Sequence, residues 1–206
     1  MIAVTSSGAA GGGTSGGTTG CSIGHVVIGE VRSRGVGGAA DEFVALFNPT
    51  ATPIALDASW QLSVRAPNDA TYRAHWTGTG ATIPAWGHYL IAGASYAQAP
   101  APDAALTSGI PDAASLRLLH GGAVVDALCF AYDATTTYDA TFTCEGSVAS
   151  NAPHDNTSSA TSNADVSLAR KPGGARGNCT DTKDNASDFV NEKPATPEDT
   201  ASAATP

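Results

Sequence analysis

The segment Asp41-Glu42-Phe43-Val44-Ala45-Leu46-Phe47-Asn48-Pro49-Thr50 limits the fold more than any other stretch of the chain. In an extended strand successive side chains point to opposite faces. Phe43, Ala45 and Phe47 therefore share one face, and Val44 and Leu46 the other. Both faces are apolar, which predicts a central strand running Asp41 to Asn48 and covered on each side. Pro49 ends it, because proline has no N–H to give to a ladder.

Other short runs repeat the strand signature. His25 to Arg32 reads as the first strand, and Ile54 to Leu56 as a short one. Trp60, Leu62 and Val64 alternate along Trp60 to Arg65, as do Tyr72, Ala74 and Trp76 along Thr71 to Trp76. Pro67-Asn68-Asp69 and Ile83-Pro84-Ala85-Trp86-Gly87 mark turns, the second leading into a strand from His88 to Ala92. Ser115 to Leu119 and Ala123 to Tyr132 flank Gly121-Gly122 as a β-hairpin. Residues 93–114 are an Ala/Pro/Ser-rich excursion with room for one helical turn. Residues 133–166, poor in apolar groups, read as a long surface loop held by its ends. Many short strands with regularly spaced turns and no long helical pattern predict an all-β sandwich.

The 206 residues suffice for one such domain. Residues 1–22 are a Gly/Ser/Thr linker with little to bury, 23–192 form the domain, and 193–206 are a Pro/Ala/Thr-rich tail expected to be mobile. The net charge is −9, from 10 basic and 19 acidic residues. Scattered basic residues do not make the Lys/Arg cluster that a nucleic-acid backbone requires, so nucleic acid is excluded as a partner. No stretch reaches the roughly 20 apolar residues of a transmembrane helix. Met1-Ile2-Ala3-Val4 is too short for the apolar region of a secretory signal, and Thr18-Thr19-Gly20-Cys21 lacks the apolar run that precedes a lipidated cysteine.

The cysteines are Cys21, Cys129, Cys144 and Cys179. None stands in a CxxC pair or at zinc-finger spacing. An even number in a Thr/Asn/Gly-rich chain favours disulfides and an oxidising compartment, hence an extracellular or cell-surface protein. Three pairings are open at this level.

Chemistry-bearing motifs are few. Asp181-Thr182-Lys183-Asp184-Asn185 with Asp188 is the best metal candidate, because oxygen ligands on one loop suit Ca²⁺, the one candidate cofactor. The loop lacks the central Gly and final Glu of an EF-hand, and Lys183 sits in its middle. An Asx-turn network is the simpler reading of Asp181, Asp184, Asn185 and Asp188. Asp41 and Glu42 are adjacent in a strand, so their carboxylates face opposite ways and make no acid–base dyad. A structural role is expected instead, with Glu30, Asp126 or Glu42 accepting from Arg170. His25, His75, His88, His120 and His154 show no metal spacing, and no nucleophile elbow or phosphate loop is present. Asn156, Asn178 and Asn185 stand in N-x-S/T sequons.

Taken in order, Val26-Val27-Ile28, Glu30, Asp41-Glu42-Phe43 and Asn48-Pro49 resemble the opening of the lamin tail domain family. Leu56-Asp57, Trp60, Ile83-Pro84, Gly87, Tyr89-Leu90 and Val125-Asp126 continue the pattern. Leu168, Arg170, Gly173-Gly174, Asp181, Asn185, Asp188 and Phe189 close it. The match spans roughly Val26 to Thr196. Ala45 stands where the family usually carries Glu, and Ser59 where a Gly often precedes the core Trp. The resemblance implies an immunoglobulin-like β-sandwich of seven to nine short strands with long loops.

Cys144-Glu145-Gly146 and Cys179-Thr180-Asp181-Thr182 resemble bacterial extracellular members, which often sit beside nucleases, phosphatases or adhesion modules. By that resemblance Cys144 pairs with Cys179, and Cys21 with Cys129. The expected function is a non-catalytic secreted or surface-tethered module for binding, adhesion or assembly. Its partner is a protein or cell surface, or a second copy joined through edge strands. The alternatives are an accessory domain of an extracellular hydrolase and a Ca²⁺-stabilised structural module. The expected binding surfaces are the Arg34–Ala40 loop, the 93–114 excursion and the 145–166 loop.

Overall fold

The computed structural model describes residues 21–154 and 163–205, so the linker expected over 1–22 lies, apart from its last two residues, outside the described residues. The elements in order are β1 (Val27–Arg32), β2 (Phe43–Phe47), β3 (Ile54–Leu56), β4 (Trp60–Arg65), β5 (Arg73–Thr77), β6 (Ala81–Ile83) and β7 (His88–Ala92). Then come β8 (Ala104–Ala105), β9 (Ala114–His120), β10 (Ala123–Ala131), β11 (Ala149–Ser150), β12 (Ser167–Arg170), the single turn α1 (Asn185–Asp188) and β13 (Phe189–Glu192). One sheet has the order β13-β12-β1-β2-β7-β8, the other β11-β10-β9-β4-β5, and β3 pairs with β6 as a small ribbon.

The fold is an all-β sandwich. It holds more strands than the seven to nine expected, because β6, β8 and β11 are pieces of two or three residues that pattern alone does not mark, whereas the short β3 stands where the pattern puts it. The 93–114 excursion holds no helical turn. Pro100 and Pro102 disfavour one, and the segment instead supplies β8, which runs parallel to β7. The β9–β10 hairpin turns at Gly121 and Gly122, whose φ angles of 60° and 82° fit the two left-handed positions of a type I′ turn.

The main core lies between the sheets. Val44 and Leu46 of β2 meet Trp60, Leu62, Val64, Leu116, Leu118, Leu128 and Phe130 there. The other face of β2 is also covered. Phe43 and Ala45 pack with Leu90, Ala92, Tyr96 and Ala195, and Phe47 packs with Ile23 and Val27. The two-sided apolar pattern of β2 thus has two separate causes, the opposing sheet inside and the terminal segments outside.

The tail, expected to be mobile, is laid along this outer face as far as Thr205. The Thr196 N–H donates to Glu30 Oε1 at 3.0 Å, the Thr200 hydroxyl to Asp103 Oδ1 at 2.5 Å, and the Thr205 N–H to the Trp86 carbonyl at 2.8 Å. Its composition suggests a linker, but its backbone donors find fixed acceptors on the sheet.

The disulfides join Cys21 to Cys179 and Cys129 to Cys144, not Cys144 to Cys179 and Cys21 to Cys129. The reason is topological. Cys21 and Cys179 sit beside Ile23, Val27 and Phe47 on the outer face of the six-stranded sheet. Cys129 alternates with the core residues Leu128 and Phe130, so it faces outward from the five-stranded sheet. A Cys21–Cys129 bond would have to cross the sandwich.

Candidate functional site at the Asp112 loop junction

The three loops expected to carry binding converge on one side chain. β1 ends at Arg32 and is followed by Ser33 and Arg34, while Asp112 lies two residues before β9. Asp112 Oδ1 accepts from the Ser33 hydroxyl at 3.1 Å, and Oδ2 accepts from Arg34 Nε at 3.2 Å. His154 Nε2 lies 3.3 Å from the same Oδ2. The Asn151 amide donates to the Asp112 carbonyl and to the Ser33 hydroxyl, both at 3.0 Å. Arg34 Nη1 reaches Asn163 Oδ1 at 3.5 Å. The Arg34–Ala40 loop, the 93–114 excursion and the described parts of the 145–166 loop, whose residues 155–162 lie outside the described residues, therefore share one polar knot. Asp41 fixes the first loop further by accepting from the Gly37 N–H at 2.9 Å and pairing with the buried Arg32.

Two clefts flank the knot. The larger, about 680 Å³, is lined by Pro67, Asn68, Asp112, Tyr132, Asp133 and Phe142 among others. Tyr132 is 49% exposed, a large aromatic surface left open at its rim. Asp133 is committed to shaping the wall. It accepts from the hydroxyls and N–H groups of Thr135 and Thr136, and these bonds hold its carboxyl below the usual range. The smaller cleft, about 360 Å³, is walled by Ala39, Ala40, Gly93, Ala94 and Gly109 with Glu42 among its lining residues. Glu42 Oε2 accepts from the Ile110 N–H at 2.6 Å. Burial pushes the Glu42 carboxyl up to about 7, and the charge of Asp112 adds to the shift.

The sequence-derived metal candidate is divided by the fold. Asp181 and Asp188 come together, joined by Glu145, which the sequence reading did not include. One oxygen from each lies within 4.8 Å of the others. Asp184 turns away to accept from the Ser147 N–H at 2.7 Å and the Ser187 hydroxyl at 2.7 Å. Asn185 is buried, accepting from the Cys129 N–H and donating to the Ala127 carbonyl, both at 2.9 Å.

The three clustered carboxylates already hold cations. Lys183 Nζ lies 3.0 Å from both Glu145 and Asp181, and Arg170 Nη1 lies 3.9 Å from Asp188 and 4.0 Å from Asp181. Asp188 also accepts from the Thr182 N–H and hydroxyl, at 2.9 and 2.6 Å. Partial burial raises the Asp181 carboxyl, but Lys183 and Arg170 outweigh it and hold the group below its ordinary value. Chemically this is a turn network in which three carboxylates share two cations; the buried Glu145 Oε2 has no hydrogen-bond partner among the described residues, and burial raises the Glu145 carboxyl.

The remaining candidates serve the fold. His88 is buried, and its Nε2 faces Asn178 Oδ1 at 3.0 Å and Glu198 at 3.1 Å. His120 stacks on Trp60 at 4.3 Å. Asn178 and Asn185 are buried, so their sequons are closed to glycosylation, while Asn156 lies outside the described residues. Two disulfides are present, and no helix among the described residues is long and apolar enough to cross a membrane. No protein-family model matches the chain, and no curated protein is significantly similar to it.

Proposed function

We propose that this chain is a non-catalytic, secreted or surface-tethered binding module of the lamin-tail-like kind, recognising a protein or cell-surface partner through the loops joined at Asp112. The observation that carries the reading is that junction. A rigid sandwich presents three long loops, fixes them to one another at a single residue, Asp112, through its carboxylate and its carbonyl, and leaves two clefts beside the knot. Loops held on a rigid scaffold are where sandwich domains bind. Two disulfides suit an oxidising environment. The acidic Asp181–Asp188 loop fits the same reading as structure, since Asp181 pairs with Lys183 and Asp188 accepts from Thr182 and lies near Arg170.

The test is binding of the fluorescently labelled protein to intact cells of its source, competed by unlabelled protein. Saturable binding is expected, weakened about ten-fold or more by Tyr132→Ala, because an exposed aromatic at a cleft rim is a typical anchor. Tyr132 lies at the surface, so the variant should melt like the parent. Binding that does not saturate, or that Tyr132→Ala leaves unchanged, would count against the assignment.

A further inference from the structure

Glu42 differs from the buried carboxylates that pair with arginine, and, unlike Glu30 with its bonds from Ser167 and Thr196, it lies at a cleft. Asp41 and Asp126 are also buried, but each pairs with an arginine. Glu42 is 3% exposed, and the charged neighbour acting on it is the acidic Asp112. Its bond to the Ile110 N–H uses Oε2 alone. A glutamine would hold Ile110 equally well without a buried carboxyl, so tying down the excursion does not explain the charge.

The second oxygen, Oε1, faces two glycines, so no side chain at either position covers it. A Cβ on Gly93 would lie 3.0 Å from Glu42 Oε1 and 2.6 Å from its Cγ, and one on Gly109 would lie 3.3 Å from Oε1. Both glycines line the smaller cleft, whose other walls include Ala39, Ala40, Ala94 and Leu106. The result is an open, largely apolar cleft of about 360 Å³, with Glu42 as its one carboxylate and Thr107 and Ser108 also in its lining.

We propose that this pocket binds a primary ammonium on an unbranched alkyl chain, the chemistry of a lysine side chain. The apolar walls match the methylene stem, and the ammonium is a point-like donor that one oxygen satisfies. A guanidinium suits the pocket less well, because its fork wants two carboxylate oxygens and Oε2 is already taken by Ile110. The inference rests on the binding-module reading and names the group that the smaller cleft would receive from a partner.

The experiment is an NMR chemical-shift titration of the whole protein at pH 8 and low salt. The probes are Nα-acetyl-lysine methylamide, its norleucine and arginine counterparts, and n-butylamine. The lysine amide is expected to bind with a Kd on the order of 1 mM, with shifts centred on residues 39–42, 93–94 and 106–110. Norleucine and arginine should bind about ten-fold or more weakly. Butylamine matching the lysine amide would assign the pocket to free amines, and binding of the lysine amide alone would assign it to peptide lysine. Glu42→Gln should abolish the response, and Ala94→Leu, at an exposed position, should block the pocket with Glu42 intact. Equal binding of norleucine, or an unchanged titration in both variants, overturns the proposal. If Glu42→Gln still binds cells saturably while the wild-type pocket ignores the lysine probe, this inference fails and the binding-module reading stands.

Discussion

Arg170 shows how much one side chain can organise in this sandwich. It has no solvent exposure, and every arm is committed. Nε donates to the Ile28 carbonyl at 2.9 Å, Nη1 to the Thr180 carbonyl at 2.9 Å, and Nη2 to both oxygens of Asp126 at 2.8 and 2.7 Å. Its guanidinium also lies 4.7 Å from the Phe189 ring centre. Asp126 on β10 accepts in addition from the Ile28 N–H at 2.7 Å, so the pair links the two sheets. Burial pushes the Asp126 carboxyl up, and Arg170 pulls it back. Removing one partner strands the other as a buried charge. Arg170→Met is therefore expected to lower stability by about 3–5 kcal/mol, read from the urea midpoint. The double variant Arg170→Met with Asp126→Leu should recover a good part of that loss, since no charge is then left unpaired. Arg170 was legible in the sequence as a donor to Glu30, Asp126 or Glu42, and Asp126 is the partner. Pattern shows which residues point inward but not which strand ends up opposite. Glu30 lies on the far face under the tail, and Glu42 points toward the loops.

At the scale of elements, the long strands were legible and the loops were not. Trp60–Arg65, Ile54–Leu56 and His88–Ala92 begin and end where the alternation places them. The 133–144 loop is silent in pattern terms because its partners are distant in sequence. It is folded onto the outer face of the five-stranded sheet, where Arg65 stacks on Phe142 at 3.7 Å and the Thr143 N–H donates to the Tyr72 hydroxyl at 2.7 Å. Cys129–Cys144 closes this segment with a sequence separation of 15. Cys129→Ala with Cys144→Ala is expected to cost about 3 kcal/mol by the chain-entropy argument, seen as a lower melting temperature. Peptide mapping without reduction should recover Cys21 linked to Cys179 in parent and variant alike. The Asp181–Asp188 loop makes an opposite kind of prediction. Because Lys183 Nζ already stands between Glu145 and Asp181, and Thr182 and Arg170 hold Asp188, Ca²⁺ and EDTA should give the same melting temperature. A rise with Ca²⁺ that Asp181→Asn removes would show that the ion displaces Lys183. Glu145 escaped the sequence reading because it is 36 or more residues away along the chain and meets Asp181 only through the fold.

At the scale of the whole molecule, the chain wraps its own sheet. The 21–26 segment and the tail cover the outer face of β1, β2 and β7, and the tail's attachment is acidic. Glu30 lies on the sheet, Glu192 at the root of the tail and Glu198 within it. Glu30 accepts from the Ser167 hydroxyl at 2.5 Å and the Thr196 N–H at 3.0 Å. Burial raises its carboxyl from 4.5 to about 7 despite those bonds and the positive field of Arg32. Burial, then the charges of Glu30 and Glu192, raise Glu198 to about 7 as well. His88, which faces Glu198, offers no compensating cation, because burial pushes its ring down to about 4. Two acids whose docked values exceed their free values hold extra protons in the docked state. Docking is then strongest below about pH 4.5, weakens as the pH rises, and reaches its low plateau above about 7. His88 acts in the other direction between pH 6.5 and 4, but Asn178 and the stacked Phe47 ring at 4.8 Å shield it independently of the tail. The two acids therefore set the net sign. Amide hydrogen exchange followed by mass spectrometry, corrected for intrinsic rates, should show protection of 194–205 falling about ten-fold or more from pH 5 to pH 8. Peptides from β2 should stay protected across the same range. Glu30→Gln with Glu198→Gln should make the tail's protection independent of pH, since the amides keep the acceptor oxygens and lose the titration. A tail equally protected at both pH values in the parent would mean that its hydrogen bonds and the packing of Ala195, not these carboxyls, govern its hold on the sheet.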